Sequence, residues 1–313
     1  MMGTLLIAAA ATPASAQQCT THSRFAVVVH GGELSKPFVD NGRLAAMRDA
    51  LTEARAELAS GASSLDVVEN VVRGFENSGL FNAGRGAIAD QAGIVETDAS
   101  IMDGRDLSAG AVASMTAIMN PVHSARLVME KSPHVLMAGD RGQAYVERIG
   151  AEFVPPNYFL NTKKPGPTAE HGTVGAVALD RCGHIAAATS TGGYDAKIPG
   201  RVGDSPIVGA GVYANDHVGG FSATGHGEYF IRFSIAKDVA DRMLYGHQSM
   251  KAAMSADLKQ TLAPFKDGDG ALIGIDAHGH VVTMWNSTGL FRGFATDKQP
   301  PVAAEYAGPT ESR

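Results

Sequence analysis

One threonine stands directly after a glycine and opens an apolar run, in Gly172-Thr173-Val174-Gly175. A threonine hydroxyl is a weak nucleophile until a base lies within hydrogen-bond reach. A threonine at a chain terminus has such a base in its own α-amino group, whose unperturbed pKa is about 7.7–8.0. Cleavage of the Gly172–Thr173 bond would create that terminus, and glycine tolerates the distorted backbone that the cleavage requires. A Gly-Thr pair before a strand is also common, so this pair alone does not establish a cleavage site. Neighbouring motifs are needed to support that interpretation.

A charged turn lies downstream, in residues 200–206 (GRVGDSP). Arg201 offers a planar fork that suits a carboxylate, and Asp204 can accept hydrogen bonds from an ammonium group. The two side chains together complement the head group of an α-amino acid. The same pair could instead form a salt bridge that stabilises the turn.

Two further segments carry hydroxyl groups beside glycines. Residues 189–193 (TSTGG) end a strand that we expect to pair with the Thr173 strand, and residues 223–227 (ATGHG) lie at an expected strand-to-helix junction. Backbone N–H groups at a helix N-terminus favour developing negative charge, so the second segment could bind the oxyanion of an acyl-transfer reaction. Thr224 could equally serve as a helix cap.

Other catalytic and metal-binding motifs are absent from the sequence. It contains no Gly-x-Ser-x-Gly, no Gly-x-x-x-x-Gly-Lys, no Cys-x-x-Cys and no His-Glu-x-x-His. His278 and His280 flank a glycine in what we expect to be a surface turn. The DGDG segment at 267–270 lacks the later carboxylate of an EF-hand loop. We therefore expect no catalytic metal.

The composition narrows the class of protein. The 313 residues are 44% hydrophobic and 19% charged, which excludes a disordered chain, a coiled coil and a collagen. The net charge is -6 and no basic run is present, so a nucleic-acid partner is not expected. The 37 glycines indicate many tight turns and close backbone approaches. A small polar substrate fits this composition best.

The elements that must position these residues follow from the apolar pattern. The expected strands cover residues 25–30, 93–102, 110–118, 173–180, 184–191, 207–213, 218–224, 271–276 and 280–285. The expected helices cover residues 44–59, a segment from 64 onward, and residues 121–130, 139–149, 227–244 and 249–262. Residues 154–171 contain four prolines and predict an exposed linker. Hairpin connections favour antiparallel pairing, so we expect an α+β fold with two mainly antiparallel sheets between helix layers.

The N-terminus resembles an export signal. Residues 5–11 are apolar and Ala14-Ser15-Ala16 fits a small-residue cleavage site, although no Lys or Arg precedes the apolar run. We expect a signal peptide over residues 1–16, a periplasmic or secreted protein, and no membrane attachment once the signal is removed. A frayed N-terminus is the alternative. The two cysteines, Cys19 and Cys182, could pair in an oxidising compartment, but their distant places in the chain favour separate thiols.

The ordered motifs together resemble the isoaspartyl peptidase/L-asparaginase family, the plant-type asparaginases among the N-terminal nucleophile (Ntn) hydrolases. The motifs are HGG at 30–32, FNAG at 81–84, MDG at 102–104, GTVGAV at 172–177, TSTGG at 189–193, GRVGDSP at 200–206, GAGVYA at 209–214 and TGHGE at 224–228. The resemblance implies a four-layer αββα Ntn-hydrolase fold and autocatalytic cleavage between Gly172 and Thr173. One domain would then consist of an alpha subunit, residues 17–172, and a beta subunit, residues 173–313.

The resemblance also implies catalytic roles. Thr173 would be the nucleophile and Thr191 a neighbouring hydroxyl that helps to activate it. Thr224 and Gly225 would form the oxyanion hole, and Asn82 would support the site from the other subunit. The reaction would release L-aspartate from L-asparagine, from β-aspartyl (isoaspartyl) dipeptides, or from both, with no required cofactor.

Substrate recognition and assembly are implied in the same way. Arg201 would hold the substrate α-carboxylate and Asp204 its α-amino group, with Gly227 beside Thr224 and Gly225 in the substrate-binding segment. A structural sodium ion would lie in a carbonyl-lined loop near residues 76–86. The assembly would be a dimer of alpha-beta heterodimers.

Two alternatives remain open from the residues. Glycosylasparaginase shares much of the 200–206 turn, but that branch usually has Asp and Asn where this chain has Gly172 and Gly192. A non-catalytic exported binding protein could use Arg201 and Asp204 to hold an amino acid without cleaving anything. The chain also departs from the family at Glu33-Leu34, where small residues are usual, so we expect a different local loop.

Overall fold

The computed structural model describes residues 24–37, 39–159 and 172–306, and these residues form two stacked β-sheets. The expected signal peptide, Cys19 and residues 160–171 of the expected linker lie outside the described residues. No helix among the described residues is long and apolar enough to cross a membrane.

The larger sheet contains eight strands in the order β12-β11-β1-β5-β6-β2-β3-β4. In chain order these are β1 (Ala26–Leu34), β2 (Thr97–Asp103), β3 (Ala109–Met115), β4 (Leu136–Ala138), β5 (Val174–Leu179), β6 (Ile185–Thr191), β11 (Gly289–Thr296) and β12 (Val302–Ala304). β3 and β4 pair in parallel, and the other neighbours in this sheet are antiparallel. Strand β5, which follows Thr173 directly, therefore lies near the middle of the sheet.

The smaller sheet has the order β10-β9-β8-β7 and is antiparallel throughout. Its strands are β7 (Val212–Asn215), β8 (Gly219–Gly225), β9 (Gly270–Asp276) and β10 (Val281–Trp285). Strand β8 ends at Gly225, so the expected oxyanion segment stands at the end of a central strand of this sheet.

Helices cover the outer face of each sheet. The helices on the larger sheet are α1 (Asn41–Ser60), α2 (Ser64–Ser78), α3 (Pro121–Lys131) and α4 (Gly139–Ile149). Those on the smaller sheet are α5 (Gly227–Phe233), α6 (Ile235–Leu244) and α7 (Met250–Ala256), and α7 continues as a π-helical turn, Asp257–Leu262. The order of layers is helix, sheet, sheet, helix, which confirms the predicted αββα architecture.

The apolar run of β1 explains why this strand is buried on both sides. Val27 and Val29 pack with helices α1 and α2 in one core, whereas Ala26 and Val28 face the core between the sheets. Successive side chains of a strand point to opposite faces, so a continuous apolar sequence is required where both faces are covered.

Local signals fix the ends of the first two helices. The Asp40 side chain accepts a hydrogen bond from the amide of Arg43 (3.0 Å), and Ser63 does the same for Asp66 (3.1 Å). Gly61 ends α1 in the left-handed conformation at φ 99°, which glycine adopts without steric cost.

Two predicted elements differ in the structure. Strand β7 begins only at Val212, because residues 204–211 form turns in which the Ile207 amide bonds the Asp204 carbonyl (2.8 Å) and the Ala210 amide bonds the Ile207 carbonyl (2.9 Å). The helix predicted over residues 227–244 is two helices, because Ser234 is left-handed (φ 51°) and ends α5. The sequence prediction was wrong at both places.

Strands β4, β11 and β12 were not predicted. Glycines interrupt the apolar pattern of β11, and a Cβ on Gly293 would lie 2.7 Å from the Leu51 side chain of α1. Cys182, in the turn between β5 and β6, is disulfide-bonded, so the expectation of a separate thiol at this position was wrong.

Candidate active site

The predicted nucleophile and its neighbouring hydroxyl meet at the adjacent ends of β5 and β6. Strand register pairs Val174 with Ser190, which places Thr173 beside Thr191. The Thr173 hydroxyl donates to Thr191 Oγ1 at 3.0 Å, and Thr191 Oγ1 also accepts from the Gly193 amide at 3.0 Å. Both threonines are buried, so the hydroxyl pair is held in one geometry away from bulk water.

Asn82 supports this turn from the segment after α2. Its side-chain amide donates to the Gly193 carbonyl (2.6 Å) and its Oδ1 accepts from the Ile88 amide (3.0 Å). A Cβ on Gly172 would lie 2.5 Å from Asn82 Cβ, and a Cβ on Gly192 would overlap Asn82 Oδ1. The residue before Thr173 therefore lies against Asn82 with no space for a side chain.

Arg201 is paired with Glu228, not with Asp204. Its Nε and Nη2 donate to the two Glu228 oxygens at 3.0 Å each, and its guanidinium carbon lies 4.5 Å from the centre of the Tyr194 ring. Although burial acts in the opposite direction, hydrogen bonds and charge from Arg201 lower the pKa of Glu228. This pair fixes the plane of the guanidinium through its Nε edge. The Nη1 nitrogen takes no part in the pair with Glu228.

Asp204 is a buried carboxyl whose Oδ2 has no hydrogen-bond partner among the described residues. Burial raises its pKa to about 7, against the opposing charge of Arg201. An unpartnered buried acid costs free energy unless a ligand supplies the missing donor. The geometry therefore suits a cationic group bound at Asp204.

The segment 224–227 contributes a second unpartnered oxygen. Thr224 is buried, and its Oγ1 has no hydrogen-bond partner within the described part of the chain. A Cβ on Gly227 would lie 2.7 Å from Asp204 Oδ1 and 2.8 Å from Arg201 Nη2, so Gly227 borders both side chains.

A small polar cavity of about 10 Å³, room for roughly one water molecule, joins these groups. It is lined by Thr173, Thr191, Gly193, Tyr194, Arg201, Asp204, Ser205 and Gly225. Five of the predicted site residues thus line one cavity, whereas Gly172, Asn82, Thr224 and Gly227 lie next to it through the contacts given above. The arrangement places a threonine hydroxyl beside a cationic fork and an acid, a set of groups that could attack and bind a small zwitterionic amide.

Sequence reasoning missed Glu228 and Tyr194. Glu228 stands in the first turn of α5, directly after Gly227. It accepts a hydrogen bond from Arg201 only because the folded 200–206 turn brings the two side chains together. The available sequence signal was that acidic residues are common in the first turn of a helix. That signal indicates an interaction with the helix N-terminus as readily as a salt bridge with Arg201.

Glu33, the expected departure, lies buried at the end of β1 after a β-bulge. Neither of its carboxyl oxygens has a hydrogen-bond partner among the described residues, and the nearby Ser287 hydroxyl donates instead to the Gly289 carbonyl (3.2 Å). Burial, reinforced by the carboxyls of Asp269 and Asp204, raises the pKa of Glu33 well above its usual value.

The histidine pair at 278 and 280 lies in a surface turn, as predicted. His278 and His280 lie in the turn between β9 and β10, and His280 Nδ1 is 2.8 Å from Asp276 Oδ2. No group of three or more His, Cys, Asp or Glu side chains within residues 24–37, 39–159 and 172–306 could hold a metal ion.

Comparison with known proteins covers the site and most of the chain. The sequence model described as "Asparaginase" matches residues 23–167 and 161–304. The isoaspartyl peptidase of Escherichia coli (strain K12) is 44% identical over 80% of this chain and 84% of its own length. The isoaspartyl peptidase/L-asparaginase of Mus musculus is 40% identical over 84% and 86%, and that of Homo sapiens is 39% identical over 84% and 91%. With these matches spanning both sheets and every residue of the cavity, the chain belongs to the asparaginase family.

Proposed function

We propose that this protein is a self-processed threonine hydrolase that releases L-aspartate from β-aspartyl dipeptides, from L-asparagine, or from both. The observation that carries the proposal is the buried Thr173–Thr191 hydroxyl pair at the wall of a cavity that also contains Arg201 and Asp204. The names of the relatives, isoaspartyl peptidase and isoaspartyl peptidase/L-asparaginase, support this substrate class.

Processing would cut the chain between Gly172 and Thr173 and leave residues 17–172 and 173–313 as two subunits of one domain. The close approach of Gly172 to Asn82 supports this site, because a constrained peptide next to a held hydroxyl is poised for internal attack. The new α-amino group of Thr173 would then serve as the base that the threonine hydroxyl lacks.

Hydrolysis would proceed in two acyl-transfer steps. Thr173 Oγ1 attacks the side-chain carbonyl carbon of the aspartyl substrate, and its proton passes to the α-amino group. The tetrahedral oxyanion lies against Thr224 and the Gly225 backbone, and its collapse breaks the C–N bond while the ammonium returns a proton to the leaving amine. Water then attacks the aspartyl ester, which releases aspartate and restores the Thr173 hydroxyl.

The substrate head group would bind between two opposite charges. Arg201, held by Glu228 along one edge, would present its Nη1 end to the α-carboxylate. Asp204 would accept hydrogen bonds from the α-ammonium, which supplies the donor that its buried Oδ2 lacks.

We propose that the expected sodium ion lies in the segment that carries Asn82. The Glu76 carbonyl lies beside Gly84, and the carbonyls of Gly79 and Phe81 lie beside Gly86. Carbonyl oxygens are suitable ligands for a hard cation. A sodium ion held there would brace the loop and take no part in bond breaking.

Glycosylasparaginase is the competing activity, and one observation disfavours it. The asparagine usual in that branch would have to occupy position 192, where even a Cβ overlaps Asn82 Oδ1.

An assay of the purified protein with a β-aspartyl dipeptide, L-asparagine and a glycosylated asparagine separates the activities. We expect turnover of at least one of the first two substrates. Turnover of the glycosylated substrate alone would contradict the proposal, and binding of aspartate without turnover of any substrate would favour the binding-protein alternative.

We also propose export and assembly of two alpha-beta pairs. The mass of the mature alpha subunit, measured on protein from the native host, should correspond to an N-terminus at Gln17. An N-terminus at Met1 would contradict the export proposal.

A further inference from the structure

We infer that His30 is a positioning residue for the nucleophile: through a buried chain of hydrogen bonds from Thr189 and Ser222, its imidazole holds the main-chain carbonyl of Thr173. This inference rests on the proposed function, since it assigns a role in placing the group that would attack the substrate. The HGG motif at 30–32 carried no role in the mechanism above.

The contacts form one continuous path. His30 Nδ1 lies 3.1 Å from the Thr173 carbonyl oxygen, and His30 Nε2 lies 2.9 Å from Ser222 Oγ. Ser222 Oγ lies 2.7 Å from Thr189 Oγ1. All three side chains have no exposed surface, so water does not compete for these hydrogen bonds.

The protons of this path have one consistent arrangement. A carbonyl only accepts, so Nδ1 must carry the imidazole proton that bonds Thr173. Burial lowers the pKa of His30 to about 3, although the hydrogen bond to Thr173 acts in the opposite direction. The ring is therefore neutral, and Nε2 must accept the proton of Ser222.

Thr189 completes the direction of the path. Since the Ser222 proton is committed to His30, the Thr189 hydroxyl must donate to Ser222 Oγ. The Thr189 hydroxyl also donates to the Gly211 carbonyl at 3.0 Å, which accepts from the Ala223 amide at 3.0 Å as well, so its proton is shared between Ser222 and Gly211. The order of donors is thus Thr189, Ser222, His30, and the final acceptor is Thr173.

The strand opposite His30 leaves space for this path. Gly175 on β5 pairs with His30 on β1, and a Cβ on Gly175 would overlap both Ser222 Oγ and the His30 ring. Glycine at this position therefore allows the imidazole to lie across the strand and reach the carbonyl two residues earlier.

The carbonyl hydrogen bond matters most after cleavage. Thr173 precedes β5, and as a chain terminus it would have no preceding peptide to hold it. Fixing its carbonyl fixes the plane of the Thr173–Val174 peptide and the position of the Thr173 Cα, which carries both the amino group and the side chain. A base and a nucleophile held at reacting distance gain rate through orientation.

Two isosteric variants of His30 test the inference. In His30→Asn the amide nitrogen stands near the former Nδ1 and can still donate to Thr173. In His30→Gln it stands near the former Nε2 and can reach only Ser222. We expect both to fold and process, and kcat of His30→Gln to be about tenfold or more below that of His30→Asn, with similar KM. Equal kcat values, or a more active His30→Gln, would overturn the inference.

A measurement independent of activity accompanies the kinetics. Nitrogen-15 chemical shifts of His30, assigned by their loss in His30→Asn, should report a neutral ring with the proton on Nδ1 from pH 5 to 8. Ser222→Ala should leave the proton on Nδ1, because the Thr173 carbonyl still accepts it, and should move the Nε2 chemical shift toward that of a ring nitrogen that accepts no hydrogen bond. A His30 that titrates in this range in an active enzyme would overturn the inference alone, whereas the expected tautomer in a protein that hydrolyses none of the substrates would overturn the proposed function.

Discussion

At the scale of residues, the site depends on buried polar groups whose partners come from different parts of the chain. Thr173, Arg201 and Asp204 were predicted from the sequence because their motifs are local and ordered. Glu228 could not be predicted as the partner of Arg201, since that pairing depends on how the 200–206 turn meets the start of α5. Nor does a single histidine before two glycines reveal that it bonds a carbonyl 143 positions away.

The Glu228–Arg201 pair makes a prediction about substrate affinity. Without Glu228 the guanidinium loses the bidentate contact that fixes its plane, so we expect Glu228→Ala to raise KM about tenfold with a smaller change in kcat. Glu228→Gln keeps the shape of the side chain and one acceptor oxygen, so its KM should lie between those of the wild type and Glu228→Ala. A lower KM in Glu228→Ala would mean that Glu228 competes with the substrate for Arg201, which contradicts the proposed role.

Glu33 makes a prediction about stability and pH. Its pKa is raised in the folded state from the usual 4.5, so the folded protein binds this proton more tightly than the unfolded chain does. Stability from this group is therefore present at low pH and is lost as the pH rises. We expect Glu33→Gln to raise Tm relative to the wild type, by more at pH 8 than at pH 5. The exposed Glu53→Gln on α1 is the control, and a gain that shrinks with rising pH would refute this account.

At the scale of elements, periodicity predicted most strands and helices, and the failures have local causes. The sequence from 227 to 244 has continuous helical spacing, yet Ser234 adopts a left-handed conformation that a non-glycine residue seldom takes. Residues 207–211 look like the start of a strand but are committed to turns that follow Asp204. In both cases the local hydrophobic pattern does not determine the backbone conformation.

The break at Ser234 predicts a stabilising substitution. The left-handed region costs a residue with a Cβ roughly 1 kcal/mol, and glycine is free of that cost. We expect Ser234→Gly to raise the free energy of unfolding by about 0.5 kcal/mol, measured by chemical denaturation, because chain entropy offsets part of the gain. Ser234→Val should lower it, and a stabilising valine would show that the strain is absent.

At the scale of the whole molecule, the proposed cut divides one domain without separating it. Strands β5 and β6 of the proposed beta subunit lie between β1 and β2 of the proposed alpha subunit within the same sheet. Both cores also contain residues from each subunit, such as Val27 with Val174 and Val28 with Val177.

This interleaving predicts that the two subunits stay together after processing. They should elute as one species on native size exclusion, at the mass of two alpha-beta pairs, and separate only in denaturant. Elution of a free alpha subunit under native conditions would contradict the interleaved arrangement, and elution at the mass of one pair would contradict the proposed dimer.

The central claim is that Thr173 is the nucleophile both for processing and for hydrolysis. Intact-mass spectrometry of the wild type, Thr173→Ala and Thr173→Ser tests it most directly. We expect the wild type to contain a fragment that begins at Thr173, Thr173→Ala to remain one uncut and inactive chain, and Thr173→Ser to be cut more slowly because the hydroxyl is retained. A Thr173→Ala protein that is still cut before residue 173 would contradict the claim.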